Sequence, residues 1–479
     1  LRPGDKAQSR LSTNGPEGKN AYSGGFGEFF FTMSTFQSLP GFREFYPEDC
    51  AARNGLFRAW REAARRQGFA EYDAPVLEPL ELFTEKSGEE IRTQLFEFED
   101  KGGRKVALRP EMTPSLARLV AARAGSLRKP VKWFSIGECF RYEKPQKGRL
   151  RSFYQFNADI LGEAGPGADA ECIALLVESL KACGLKEGEF EIRLSDRKLW
   201  FYFLRGLGVA ADKAPDVLAI VDKWDREPKE SIKQKLNVFF GDKTDSVWQS
   251  ISWFLNHPMP WHDMVSMNLS VNPSPLLEEI KIRAAELTQL VRSLESLGLE
   301  KYYRFDWRIV RGLAYYTGFV FEAFQTVGTA RALAGGGRYD DLLMKLGGVD
   351  LPAVGFAIGD VTVTDLLQEL NRPLGEVEKP DVYLVIGSEA ERKTALELAG
   401  KLRAAGLAVD YPLKDEKFRK QFDTANQVGA RLAVILGSDE VAKGQVKIKH
   451  MNSRSEKEYA NDASLIENMR HILANGLPV

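Results

Sequence analysis

From Arg141 to Arg151 the chain carries five basic residues, Arg141, Lys144, Lys147, Arg149 and Arg151, against one acid, Glu143. Arginine's planar fork pairs bidentately with phosphate, and a basic loop can follow an RNA backbone. A charge run is more often a solvated face. That reading is weakened here because the run lies between two strand-like stretches, VKWFSIGECFRY and LRSFYQFNADILGE. In the second stretch Gln155, Asn157 and Asp159 alternate with Tyr154, Phe156, Ala158 and Ile160. Successive side chains on a strand face opposite ways, so one face is polar and the other apolar. Arg109 and Glu111, two apart in VALRPEM, would share a face in the same way. On pattern alone such a face serves solvent as readily as a ligand. A third stretch, RIVRGLAYYTGFVFEAF at 308–324, leads an arginine and two tyrosines into an apolar run. A charge and two phenols entering a core need partners.

Positioning these residues requires a sheet with helices behind it. Apolar residues Ala51, Leu56, Trp60, Ala63 and Ala64 recur at helical spacing over 47–68, and Gly68 stands where a C-cap belongs. FAEYDAPVLEP reads as a short strand, 113–124 as a helix, and the two stretches around EKPQKGR as a long antiparallel hairpin with a mobile tip. Residues 166–184 read as helix, EFEIRLS as strand, and 198–299 as a series of helices rich in Lys, Glu, Leu and Trp. Strand-like sequence is expected from Phe305 continuously through Glu322, followed by the glycine run AGGGRYDDLL and a helix in DVTVTDLLQEL. After a linker with two prolines, strands and helices alternate, which predicts a parallel or mixed α/β domain.

The expected class is therefore α+β. The divisions are a polar tail (1–32), a core in two parts (33–195 and 301–372) split by a mostly helical insertion (196–300), a linker (373–380) and an α/β domain (381–479). The tail reads as disordered, or as upstream of a true start near Met33, and is expected to be dispensable. Sixty-six Lys and Arg nearly cancel 67 Asp and Glu among 479 residues. Any nucleic-acid binding must then rest on local basic patches. Four cysteines without a Cys-x-x-Cys pair, and four histidines not spaced with them, argue for a reducing, cytoplasmic setting and against structural zinc. No apolar run approaches the length of a membrane span.

These stretches match a family. FSIGECFRYEKPQKGRLRSFYQF resembles motif 2 of class II aminoacyl-tRNA ligases, specifically of histidine–tRNA ligases. LPGFREFYPED and APVLEPLELFTEKSGE resemble their opening and motif 1, with Pro75 at the dimer-interface proline. ALRPEMT is similar to their amino-acid loop, and IVRGLAYYTGFVFE and AGGGRYDDL to the histidine-specific segments. The tail through FRKQFDTANQVGARLAVILGSDEVAKGQVKIK resembles their anticodon-binding domain. The likeness runs from about 38 to 460.

The resemblance implies a class II catalytic core that activates histidine with ATP and Mg2+, transfers it to tRNA(His), and works as a homodimer. It implies that Arg141 holds the α-phosphate and that Arg311 stands between carboxylate and phosphate. Tyr315 and Tyr316 would face histidine, with Tyr316 and Asp159 on its two ring nitrogens. Glu111, Thr113 and Gln155 would surround the amino group. Arg149 is carried over as an ATP contact, and Gln146, Lys147 and Arg149 as tRNA contacts. No metal-ligating side chain is implied.

At three positions the chain departs from the family. Asp159 replaces the usual glutamate, Ala314 the usual aspartate, and Thr362 the arginine that motif 3 places near the ATP tail and adenine. Either a neighbour such as Arg149 or Arg338 supplies the missing charge, or ATP binds weakly, or histidine is no longer activated. Two other readings remain open. One is a non-catalytic histidine-binding paralogue like the regulatory subunit of ATP phosphoribosyltransferase. The other is a class II ligase for another amino acid.

Overall fold

The computed structural model describes residues 36–84, 92–266, 275–310, 315–328 and 331–476. The chain divides into units 1–39 and 40–479; all sheets and cavities considered below belong to the second. The tail expected at 1–32 lies outside the described residues.

The helix Pro47–Arg66 starts on a proline at its first turn with Glu48 and Asp49 beside it, and ends on Arg65 and Arg66. Both ends thus complement the helix dipole. Its buried face is Leu56, Trp60, Ala63 and Ala64, as the spacing predicted. Trp60 stacks on Phe156, their ring centroids 5.5 Å apart, which docks the helix on the apolar side of the main sheet.

That sheet has eight strands in the order β1-β5-β6-β11-β10-β9-β7-β8. They are β1 Ala70–Glu71, β5 Val131–Phe140, β6 Ser152–Leu161, β7 Phe190–Asp196, β8 Tyr303–Phe305, β9 Phe319–Gln325, β10 Ala332–Arg338 and β11 Ala353–Gly359. Between β1 and β5 in the chain, β2 (Leu77–Pro79), β3 (Phe96–Glu99) and β4 (Lys105–Leu108) form a small separate sheet. The six central strands of the large sheet pair antiparallel; only β1 and β8, at the edges, run parallel to their neighbours. Phe156, Ala158 and Ile160 enter the core beneath the helices, so Gln155, Asn157 and Asp159 take the opposite face. The hairpin of β5 and β6 is present as expected.

One expectation fails. The run from Phe305 to Glu322 is not one strand. β7 lies between β8 and β9, pairing parallel with one and antiparallel with the other. The chain must therefore leave the sheet, cross β7 and return reversed. Departure follows Phe305: the Asp306 carboxylate accepts from the Arg308 backbone N–H at 3.2 Å, and the Trp307 indole donates to the His257 carbonyl at 2.8 Å. Tyr315 and Tyr316 lie on the return, before β9. The paired face expected for Arg109 and Glu111 also fails, because β4 ends at Leu108.

The helical insertion is present. Asp196, the last residue of β7, accepts from the Leu199 backbone N–H at 2.7 Å and caps the helix Arg197–Gly206. It also pairs with Arg283, a buried side chain of the helix Pro275–Ser296. This fixes where the insertion leaves the sheet.

The C-terminal part is a second sheet in the order β13-β12-β14-β15-β16, with β12 Val382–Ile386, β13 Val409–Asp410, β14 Leu432–Leu436, β15 Gln445–His450 and β16 Glu456–Ala460. β13, β12 and β14 run parallel, and β15 and β16 add antiparallel. Every residue of β12 and β14 is buried, which is why both read as unbroken apolar runs. The closing pair was not anticipated: β15 buries Val446 and Ile448, and β16 is exposed except at the half-buried Tyr459.

Candidate active site

A cavity of about 790 Å³ opens on the polar face of the large sheet. Glu111, Thr113, Arg141, Gln155, Asn157, Asp159, Tyr315 and Tyr316 all line it. Its floor comes from Gly335, Gly336 and Gly355. A Cβ on Gly355 would run into the Asp159 carboxylate, and one on Gly337 would lie 3.1 Å from the Tyr316 ring. Glycine at these positions leaves room for Asp159 and Tyr316.

Three buried polar atoms on these walls have no partner among the described residues: Glu111 Oε1, Asn157 Nδ2 and Asp159 Oδ2. Buried polar groups are nearly always hydrogen-bonded, so three together mark the place of a polar ligand. Each is held by its other atoms or by its strand. The Tyr315 hydroxyl donates to Glu111 Oε2 at 2.7 Å, and the Tyr339 hydroxyl to Asp159 Oδ1 at 2.5 Å. Burial raises the Asp159 carboxyl to about 7; the Tyr339 bond opposes this, and the nearby Glu111 adds to it. Burial raises Glu111 as well, against the Tyr315 bond and the Arg141 charge.

A second cavity, about 280 Å³, is lined by Gln94, Glu143, Gly148, Arg149, Phe153, Gly359, Val361 and Thr362, among others. Arg141 lines this one too. Its Nε donates to the Pro110 carbonyl at 3.0 Å, and its guanidinium carbon lies 5.3 Å from the Phe153 ring centroid. One oriented cation is therefore shared by two chambers.

Arg109 stands apart from both. It is buried, donating to the Glu138 carbonyl and pairing with Asp73 at 3.0 Å, so it braces β5. Arg338 is likewise removed from the second chamber: it is buried against Asp169 at 2.8 Å, which excludes it as the replacement for the arginine missing at Thr362. Arg149 lines that chamber, 3.4 Å from Glu143. Gln146, exposed, closes a tight bridge with Arg149, and Lys147 reaches Glu369 at 3.0 Å, so the loop tip is tied to the helix Asp360–Glu369. Arg311 and Ala314 lie outside the described residues. No three His, Cys, Asp or Glu side chains among the described residues are grouped to hold a metal, and Cys50, Cys139, Cys172 and Cys183 are free thiols.

Sequence reading missed Tyr339, although it stands in the AGGGRYDDL segment. It left Asn157 out of the site, although the alternation put it on the right face. It also missed Arg197, Asp222 and Lys223, which the helical insertion adds to the wall of the larger cavity.

The histidyl-tRNA synthetase family model matches residues 41–362, and an anticodon-binding domain model matches 381–471. The chain belongs to the histidyl-tRNA synthetase family. Its activity is that of a histidine–tRNA ligase: a histidine–tRNA ligase of Opitutus terrae is 52% identical over 88% of this chain and 96% of its own length. The chloroplastic/mitochondrial histidine–tRNA ligase of Arabidopsis thaliana is 40% identical, over 86% and 82%. The crystal structure of histidyl-tRNA synthetase from Nostoc sp. PCC 7120 shares the fold, with a TM-score of 0.73 at 24% identity over 92% of this chain and all of that one. A histidine–tRNA ligase consumes ATP and histidine and charges tRNA(His), so two chambers meeting at one arginine suit its chemistry.

Proposed function

We propose that the larger cavity binds histidine, the smaller binds ATP, and Arg141 bridges them while the histidine carboxylate attacks the α-phosphate. A carboxylate oxygen–phosphorus bond forms, pyrophosphate leaves, and histidyl-adenylate results. A terminal ribose hydroxyl of tRNA(His) then attacks the adenylate carbonyl and AMP departs. The observation carrying this reading is the pair of chambers with Arg141 in both walls. Glu111, Thr113 and Gln155 hold the amino group; Tyr316 and Asp159 take the two imidazole nitrogens. Apolar amino acids are rejected because they would leave Asp159 and the Tyr316 hydroxyl buried and unpaired. Arg311 is the second cation at the developing charge. Val310 and Tyr315, on either side of 311–314, both line the larger cavity, which supports that role. Arg149 contacts the nucleotide. Mg2+ arrives on the phosphates, where Glu143 on the chamber wall offers a carboxylate.

The test is pyrophosphate exchange with each amino acid in turn. Histidine alone should support it, and an enzyme silent with histidine would sink the reading. In charging assays, reversing Lys147 and Arg149 to glutamate should flatten the salt dependence of tRNA binding, by roughly one slope unit for each phosphate no longer neutralised. Gln146 belongs to the same RNA-facing tip.

The enzyme acts as a homodimer in the cytoplasm. Pro75 is exposed beside Val76 and Leu77, large apolar side chains 39% and 41% exposed, which suits a symmetric interface. A stable monomer in sedimentation at micromolar concentration would refute the dimer.

A further inference from the structure

We propose that Arg331 supplies the positive charge at the phosphate tail of ATP that Thr362 cannot. This rests on the smaller chamber being the nucleotide site. Thr362 lines that chamber without a charge, and the first turn of its helix is otherwise engaged. The Asp360 carboxylate takes Arg43 at 2.7 Å and the Tyr154 backbone N–H at 2.8 Å, so it locks the helix to β6 and to the N-terminal segment. Arg331 approaches from the neighbouring strand. Arg331 stands just ahead of β10, whose Ala334 pairs with Ile358 near the end of β11, just before the helix that carries Thr362.

The side chain is directed there. Its Nη1 donates to the Lys147 carbonyl, beside Gly148. A Cβ on Gly148 would run into that guanidinium and would lie 3.4 Å from the Thr362 methyl. Gly148 has φ +76°, so glycine is demanded there by backbone and by space. Arg331 therefore meets the chamber wall where Gly148 and Thr362 meet.

Its charge is also uncommitted. Among the described residues Arg331 forms no ion pair, whereas Arg149 faces Glu143, Lys147 faces Glu369 and Arg338 faces Asp169. A half-exposed guanidinium with donors to spare, beside the smaller chamber, suits a polyanion. The β- and γ-phosphates are the part of ATP that needs one.

Arg331→Ala should raise the KM for ATP in histidine-dependent exchange by roughly ten- to a hundredfold, the usual weight of a charge-assisted hydrogen bond. The KM for histidine should hardly move. Arg331→Lys should fall between, since a point charge replaces a fork. Placing the charge back where the family carries it, with Thr362→Arg added to Arg331→Ala, should recover most of the lost ATP affinity. Calorimetric titration of ATP into the same proteins reads the effect without turnover. An unchanged ATP affinity in Arg331→Ala would overturn the proposal. So would parallel losses for ATP and histidine that Thr362→Arg does not repair, because they would mean a collapsed loop. Absence of exchange in the unaltered enzyme would instead refute the activity, leaving the ATP titrations to decide Arg331.

Discussion

Replacing Arg141 with alanine lowers histidine-dependent pyrophosphate exchange by roughly two to three orders of magnitude, as loss of one preorganised donor to developing charge does. Affinity for histidine without ATP falls only modestly. On the proposed assignment the two anions still sit in separate chambers in the ground state. Negative charge concentrates between them only as the carboxylate–phosphorus bond forms, and Arg141 stands at that junction. Its bond to the Pro110 carbonyl and its seat against Phe153 aim it beforehand, so little reorganisation is needed during the reaction. Arg141→Lys rescues poorly, because an ammonium cannot bridge carboxylate and phosphate as a fork can. Arg311→Ala should share this signature, with exchange damaged far more than histidine binding. Equal exchange rates in parent and variant would remove the altered arginine from the mechanism.

Asp159→Asn separates stability from function. Histidine affinity drops by roughly ten- to a hundredfold, the weight of a charge-assisted bond to the ring N–H. The unliganded protein, however, becomes more stable than its parent at alkaline pH. The folded-state carboxyl titrates at about 7, raised mainly by burial, against roughly 3.9 when unfolded. The folded state thus binds a proton that the unfolded state has released. The stability this gives is full below about pH 4 and is lost as pH climbs through about 7. By pH 8 the loss is on the order of 4 kcal/mol. Asparagine has no charge to desolvate, so melting temperatures of parent and variant should agree near pH 4 and diverge upward through pH 8 in the variant's favour. Melting curves that stay parallel across that range would show that the ionised carboxylate is not penalised.

Alternation made much of the site readable. The polar set Gln155, Asn157 and Asp159 was visible because polar and apolar residues alternate from Tyr154 to Ile160 of β6, between a core and a cavity. The apolar run Phe305–Glu322 misled for the opposite reason. Periodicity reports burial, and the described residues beside the crossing, such as Trp307, Val310 and Tyr315, are as buried as those of β9, so nothing local says that the chain changes sides. Arg197, Asp222 and Lys223 were invisible because helices of the insertion present them from outside the motif segments. Arg331 was hidden by its 31-residue separation from Thr362, which only the β10–β11 pairing closes. Arg338 looked equally eligible in sequence. Its burial against Asp169 could be known only once the helix Pro166–Ala182 was placed beside β10.

The shared guanidinium has a thermodynamic corollary. Because the Pro110 carbonyl and the Phe153 ring already fix the Arg141 side chain, neither substrate loses affinity to ordering it. On the proposed assignment one fixed charge serves both anions, so each partly neutralises it for the other, and linkage requires that this coupling be equal in both directions. Two small molecules that never resemble each other become heterotropic partners through one side chain.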